Sequence, residues 1–369
     1  MILGKNRMMN NKFPVNQILS GDMLDIVPCL PKSSVDLVFA DPPYNLQLKQ
    51  GLLRPNMTLV DAVDDKWDQF DSFAHYDEFT RLWLQAVREV MKDNATIWVS
   101  GTYHNIFRVG MIMQDLDFWI LNTVSWFKPN AMPNFRGTRL KNDVEFVIWA
   151  KYSEDSRYTF NHQQMKQFND SKQLGSMWQI PVCAGSERLR GENGKKLHST
   201  QKPEELLKRI IIASSKPGDM VLDPFSGSGT TAAMAKYLRR QWLGIEREEK
   251  YVRAARKRID DVEAIPETDP LIQKALKGKP KRIPFKTLIQ QGHLKAGQNL
   301  YLDKPEHEAI VLKDGNIKAN GFTGSIHKVG ANLKGTLSCN GWMCWLYVDE
   351  NSDGRQPINN LREEIRAKL

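Results

Sequence analysis

Cysteine is scarce in this chain of 369 residues: there are four, Cys29, Cys183, Cys339 and Cys344, with no C-x-x-C pair among them. That spacing suits neither a disulfide framework nor a zinc ribbon, so the four read as reduced thiols of a cytoplasmic protein. The seven histidines show no H-E-x-x-H or comparable ligand spacing, and no metal site is expected. Nowhere do 18 apolar residues run together, and the polar, mildly basic stretch from Met1 to Pro14 has no apolar signal core. Neither membrane insertion nor export is therefore expected. Internal repeats and low-complexity tracts are also lacking, which excludes solenoids and arrays.

What is there is an ordinary globular composition with a basic excess, 52 Lys+Arg against 43 Asp+Glu for a net charge of +9. Such an excess favours a polyanionic partner. From residue 271 onward 16 Lys+Arg stand against 9 Asp+Glu, so +7 of the total lies in the C-terminal part. Strand patterns at Gln17 to Ser20, Ser34 to Ala40, Ala95 to Val99, Phe118 to Phe127, Val144 to Ala150, Met220 to Phe225 and Trp242 to Glu246 alternate with helical ones. The helical patterns lie at Met23 to Leu30, Phe79 to Met91, Tyr103 to Leu116, Glu204 to Ala213 and from the Gly227 loop to Leu238. This alternation predicts a parallel, doubly wound α/β sheet, with most of Trp83, Trp98, Trp119, Trp126 and Trp149 in its core.

Three stretches break the pattern. Asn45 to Asp71 has no sustained period and reads as a lid, a substrate-gripping arm or a disordered loop. Residues 152–199 are polar and interleaved with Tyr158, Phe160, Phe168 and Trp178, as in a nucleic-acid contact or an ordinary surface subdomain. Residues 266–284 carry four prolines and a basic run and read as a linker between a catalytic domain, 1–265, and a C-terminal domain, 285–369. In that last domain, strands at Asn299 to Leu302, Glu308 to Leu312 and Trp342 to Val348 precede a helix from Pro357 to Leu369. Its lysines suit phosphate contacts, or simply a solvated face.

Asp41-Pro42-Pro43-Tyr44 closes the second strand. Asp41 and the Pro42 carbonyl can each accept one hydrogen of an exocyclic amine on a flat ring, Pro43 stiffens the turn, and Tyr44 can stack on the ring. A rigid strand-end turn is the plainer alternative. Later, Gly227, Gly229 and Ala232 match G-x-G-x-x-A between a strand and a helix, and Glu246 ends the following strand 19 residues beyond Gly227. Glycines admit a ligand close to the backbone, and a carboxylate there can take both ribose hydroxyls. The spacing alone would also serve a dinucleotide, or nucleotide binding without chemistry.

Asp41-Pro-Pro-Tyr44 ahead of Asp223-Pro-Phe-Ser-Gly-Ser-Gly229 resembles the permuted, β-class amino-methyltransferases of DNA. The resemblance implies a Rossmann-like S-adenosylmethionine-dependent methyltransferase sheet in that class's order, with a small C-terminal α+β domain. It implies that Asp41, Pro42, Pro43 and Tyr44 receive the target base, and that Asp223, Phe225, Gly227, Ser228, Gly229, Thr230 and Glu246 hold S-adenosyl-L-methionine. Thr200-Gln-Lys-Pro203 resembles the segment before the cofactor strand, which assigns Thr200, Lys202 and Pro203 to the methionine end, while Asp22 matches an acidic position near the cofactor adenine. Residues 152–199 fall where the class carries its target-recognition region. Tyr44 to Leu48, Leu52 to Pro55, Asp61 to Asp65, Trp67 to Phe70, Tyr103 to Gly110 and Met132 to Arg139 resemble the cell-cycle-regulated group of adenine methyltransferases. That implies methylation of adenine N6 in GANTC of double-stranded DNA, with the base extruded or the strands opened, no partner nuclease, and a homodimer as in much of the class. Cytosine N4 transfer and a non-catalytic DNA-binding regulator on the same fold remain the alternatives.

Overall fold

A computed structural model describes residues 13–46, 68–134, 137–191, 194, 196–198, 200–276, 281–302, 307–348 and 354–368. The expectations for 1–11, for most of the 45–71 loop, for 135–136 and for 277–280 lie outside the described residues. The chain forms two compact units, Met1–Leu276 and Lys277–Leu369.

In the first unit, in chain order, β1 is Gln17–Ser20, α1 Met23–Ile26, β2 Val35–Ala40, α2 Phe73–Val90, β3 Met91–Gly101 and α3 Ile106–Asp115. Then come β4 Trp119–Phe127, β5 Val144–Lys151, α4 His162–Met165, β6 Met177–Gln179, α5 Glu204–Ser214 and β7 Met220–Asp223. The unit closes with α6 Thr230–Tyr237, β8 Gln241–Glu246, α7 Glu249–Asp260 and α8 Pro270–Leu276. The strands lie in the order β1-β8-β7-β2-β3-β5-β4-β6. Alternation along β2 shows both faces of the sheet covered: Leu37 and Phe39 join one core with Trp98 and Val221, while Val38 and Ala40 join the other with Ile97 and Leu222. Helices α5, α6 and α7 cover the first face, and α1, α2 and α3 the second.

The direction of one strand departs from the all-parallel expectation. β5 runs antiparallel to both β3 and β4, while every other neighbouring pair is parallel. The segment between β4 and β5 has no crossover helix, so the chain returns by a simple reversal. Helix α2 also starts earlier than the apolar spacing predicts, because the Ser72 hydroxyl caps it by accepting from His75 N at 3.1 Å. Trp83, Trp98, Trp126 and Trp149 are buried as expected, but Trp119 at the start of β4 is 46% exposed.

Much of 266–284 is not an open linker. Ile265 and Ile272 are buried in the first unit's core and α8 occupies Pro270–Leu276, whereas Ile283 belongs to the core of the second unit. Prolines here mark turns and helix starts, which composition alone does not distinguish from an extended tether.

The second unit contains α9 (Phe285–Gln290), β9 (Asn299–Tyr301), β10 (Glu308–Val311), β11 (Ile317–Ala319), β12 (Phe322–Gly324), α10 (Ile326–Lys334), α11 (Gly341–Cys344), β13 (Leu346–Val348), β14 (Arg355–Pro357) and α12 (Asn359–Ala367). Its sheet has the order β12-β11-β10-β9-β13-β14 and is antiparallel. The strand expected over Trp342 to Val348 is a helical turn first. Gly341 lies so close to the Ile326 carbonyl that a Cβ would stand 2.5 Å from it, and Trp345 Nε1 donates to that same carbonyl at 2.8 Å. Cys29 and Cys183 are free thiols, and Cys339 and Cys344 bring their sulfurs together across this turn with Cα atoms 7.5 Å apart, while Cys344 Sγ lies 3.2 Å from the Asn340 carbonyl.

Candidate active site

Because β1, β8, β7 and β2 are parallel neighbours, their C-terminal ends share one edge of the sheet. The residues there are Asp22 just past β1, Glu246 ending β8, Asp223 ending β7 and Asp41 just past β2. Asp41 and Asp223 are 182 positions apart in sequence, yet they line one cavity of about 450 Å³. This is the crevice outside the strand ends where open α/β sheets bind ligands. Its volume lies within the ~300–1,000 Å³ usual for small-molecule sites.

On the cofactor side, Gly227 and Gly229 have φ of +50° and +74°, the left-handed region that glycine enters without strain. A Cβ on Gly229 would lie 2.8 Å from Ala255 Cβ on α7, and one on Gly227 would lie 3.0 Å from His198 Nε2. Glu246 fixes the loop: Oε2 accepts from Gly227 N at 2.8 Å and Oε1 from Glu248 N at 2.7 Å. Asp223 accepts from Phe225 N at 3.0 Å and from the Thr231 hydroxyl at 2.5 Å. Phe225 stands edge-on to Trp83 at 5.4 Å. The Thr230 hydroxyl donates to the Lys202 carbonyl at 3.2 Å and receives Arg258 at 2.8 Å, with the Ser228 hydroxyl 3.4 Å away. Asp22 caps α1 through Leu24 N at 2.9 Å, and Pro203 precedes the first turn of α5. All of the assigned cofactor residues except Pro203 and Gly229 line the cavity. Replacing Glu246 with Ala is expected to weaken S-adenosylmethionine binding about tenfold, since Gly227 N would lose the acceptor that fixes the glycine loop; isothermal calorimetry measures it.

Burial raises the Asp223 carboxyl to about 7, with Asp41 and Glu246 adding to the rise and the Thr231 and Phe225 hydrogen bonds opposing it. Burial likewise raises Glu246. A carboxyl whose folded pKa exceeds its unfolded value of about 3.9 binds more protons when folded. The stability it lends is present below about pH 4 and is lost as pH climbs toward 7. Denaturant midpoints of the wild type are therefore expected to fall across that window relative to Asp223→Asn, by at most about 1.4 kcal/mol per pH unit.

On the other side, Pro42 and Pro43 carry the chain from β2 into a turn held by Asp68. That carboxylate accepts from the backbone N–H groups of Tyr44, Asn45 and Leu46, the last two at 2.9 and 3.1 Å. The Tyr76 hydroxyl donates to the Pro43 carbonyl at 3.0 Å. The Pro42 carbonyl has no hydrogen-bond partner among the described residues, as the sequence reading requires of a base acceptor. Asp41, however, is already engaged. The Tyr44 hydroxyl donates to Oδ1 at 2.6 Å and Lys202 Nζ to Oδ2 at 2.7 Å. Tyr44 is 7% exposed, with Ser100 Oγ 2.9 Å from its hydroxyl and the Lys202 ammonium 5.2 Å from its ring centre. Burial, then the charges of Asp41 and Glu145, push the Tyr44 phenol well up, so it remains a donor.

Lys202, placed by resemblance at the methionine end of the cofactor, thus sends its ammonium to the base-side carboxylate. Two further charges complete the cluster: Lys202 Nζ is 3.9 Å from Glu145 Oε2, and Lys128 Nζ is 2.9 Å from Glu145 Oε1. Asp68, Glu145, Lys128 and His198 escaped the sequence reading. Glu145 carried a signal, an acid near the start of an otherwise apolar strand. His198 packs against Tyr251, and burial, followed by the positive charges of Lys202, Arg188 and Lys250, lowers it to about 4 and keeps the ring neutral.

In the segment 152–199, Trp178 is buried and Phe168 packs against the same core, while Tyr158 and Phe160 lie against Trp149 at 5.6 and 5.3 Å. These aromatic rings pack on the domain itself. The later part of the segment is tied to the active-site edge instead: Gln201 bonds Leu189 N and the Glu187 carbonyl, and Arg188 donates to the His198 carbonyl at 3.0 Å.

A sequence profile described as DNA methylase matches residues 35–257, and one described as Restriction Enzyme Adenine Methylase Associated matches 268–369. The chain is 47% identical over 340 residues to Type II methyltransferase M.HinfI of Haemophilus influenzae, covering 92% of this chain and 94% of that one. It is 39% identical over 244 residues to Type II methyltransferase M2.LlaDCHI of Lactococcus lactis subsp. cremoris, covering 66% and 88%. Among solved structures, PvuII DNA methyltransferase (cytosine-N4-specific) superposes with a TM-score of 0.52 at 21% identity, over 73% of this chain and 95% of that one. That likeness supports the Rossmann-like methyltransferase fold.

Proposed function

From the premise that the chain belongs to the N6/N4 DNA methylase family, we propose that it transfers a methyl group from S-adenosyl-L-methionine to N6 of adenine in double-stranded DNA. The observation that carries this reading is the meeting of Asp41 and the free Pro42 carbonyl with the Gly227 loop and Glu246 across one cavity. The adenine choice is supported by the match of residues 268–369 to an adenine-methylase-associated profile. The reading extends to GANTC as the target, to a solitary β-class enzyme of the cell-cycle-regulated group, and to a homodimer working on the nucleoid in the cytoplasm. These rest on the sequence blocks at 44–48, 103–110 and 132–139.

The cavity fits the cofactor. Its glycine-lined wall, the Glu246 carboxylate and the nearby Asp223 and Asp22 suit ribose hydroxyls and a cationic sulfonium. When bound, that cofactor supplies an electrophilic methyl group. The protein's part is position and charge. A base inside a duplex cannot present N6, so it is extruded at a cost of a few kcal/mol. Tyr44 stacks on it, and Asp41 and the Pro42 carbonyl each accept one N6 hydrogen, which turns the nitrogen lone pair out of the ring. Asp41 also opposes the positive charge that builds on nitrogen and is the first acceptor for the proton it sheds.

Mapping labelled methyl groups onto a sequenced plasmid tests activity, base and site together. Methyladenine confined to GANTC is the expected result. Methylcytosine would reassign the base, and no incorporation would leave a DNA-binding regulator.

A further inference from the structure

An exocyclic amine brings two hydrogens and needs two acceptors, and in this structure one of them is already engaged on both of its oxygens. Pro42 offers a free carbonyl, but Asp41 Oδ1 holds the Tyr44 hydroxyl and Oδ2 holds the Lys202 ammonium. A cation on Oδ2 occupies one of that oxygen's two acceptor directions and draws off the charge that should polarise the amine. Beside this pair lies a carboxylate with an unused oxygen. Glu145 Oε2 is buried and has no hydrogen-bond partner among the described residues, a costly state for an acceptor. Lys128 holds the other oxygen, Oε1, at 2.9 Å, and Oε2 lies 3.9 Å from Lys202 Nζ.

Building on the methyl-transfer reading above, we propose that Glu145 is a second seat for Lys202: on arrival of the amine the ammonium passes from Asp41 Oδ2 to Glu145 Oε2, and Asp41 Oδ2 is freed to accept from N6. The ammonium only has to close the 3.9 Å gap to hydrogen-bonding distance. No proton moves and the cluster's charge is unchanged. Lys202 stays a cation throughout: burial would lower its pKa, but Asp41 and Glu145 outweigh burial and the net shift is upward. The reversed direction of β5 is what makes the seat available. Phe146 pairs with Gly101 at the C-terminal end of β3, so the start of β5, and not its end, faces the site. Glu145 is accordingly a positioning residue that acts on the base through Lys202 and Asp41.

The test compares wild type, Glu145→Gln, Lys202→Met and the double variant in single-turnover transfer of tritiated methyl from S-adenosylmethionine into plasmid DNA, with cofactor affinity followed by calorimetry. Glu145→Gln is expected to slow transfer roughly 10- to 100-fold while the cofactor dissociation constant stays within about threefold. In the Lys202→Met background the same change is expected to have no further effect, because no ammonium needs reseating. Equal slowing in both backgrounds, or no slowing in the wild-type background, would overturn the proposal. Wild-type transfer with an unaffected Glu145→Gln variant removes this inference alone; absence of wild-type transfer removes the methyl-transfer reading and the inference with it.

Discussion

Replacing Asp41 with Asn is expected to reduce methyl transfer by at least about 10²–10³-fold while cofactor affinity by calorimetry changes little. The reasoning is local. Asn keeps the volume and one acceptor oxygen but loses the charge that opposes the cation forming on N6, and its amide NH2 would meet the Lys202 ammonium as donor against donor. The residues proposed to hold the cofactor, Glu246, Asp223 and the glycine loop, are untouched, so binding and turnover are expected to separate. Asp41→Ala should also stop turnover, but it leaves Lys202, 7% exposed, with Glu145 at 3.9 Å as its one remaining ion-pair partner among the described residues. Removing one partner of a buried pair costs about 3–5 kcal/mol. Thermal melting should therefore distinguish the variants, with Ala well below Asn. A turnover close to wild type in Asp41→Asn would refute the base-acceptor role.

Ending the chain after Leu276 is expected to lower DNA affinity about 10²–10³-fold at ~0.1 M salt while cofactor binding persists. The first unit retains both cores and the complete cavity, including Ile272 on α8, which a cut near Ile265 would have removed. What departs is most of the basic excess, since residues 277–369 hold 15 Lys+Arg against 9 Asp+Glu, +6 of the net +9. Lysine contacts to phosphates release counterions, so the full chain should also show the steeper salt dependence. Gel-shift titrations at two salt concentrations give both quantities; unchanged affinity would assign DNA binding to the first unit.

Where candidate groups are neighbours in sequence, their grouping could be read directly. Asp41-Pro-Pro-Tyr44 and the Gly227 loop each place several functional groups within a turn, and the structure puts both at parallel strand ends. Residues whose partners are distant could not be read this way. Asp68 binds three backbone N–H groups more than 20 positions away, and Glu145 meets Lys202 only because β5 is reversed. A strand with six apolar residues out of eight is recognised as a strand in either direction, so periodicity identified β5 without orienting it. Exposure of Trp119 is a similar case, because edge position and not composition decides it. The cation on Asp41 was equally invisible, since Thr200-Gln-Lys-Pro203 names a lysine but not where its stem leads.

The reversal of β5 also bears on engineering target specificity. Lys151 at its end pairs with Thr96 and Trp119, at the edge of the sheet opposite the cavity, and Asn161 ties into the last turn of α5 there through the carbonyls of Ile212 and Ser215. Only with β6, which pairs with the end of β4, does the chain return to the cavity edge. If, as the resemblance implies, 152–199 carries target recognition, a graft meant to exchange DNA preference is expected to work over 180–198 with 152–176 left in place, because the earlier stretch packs on β5 and α5 and would have to be refitted in each new host.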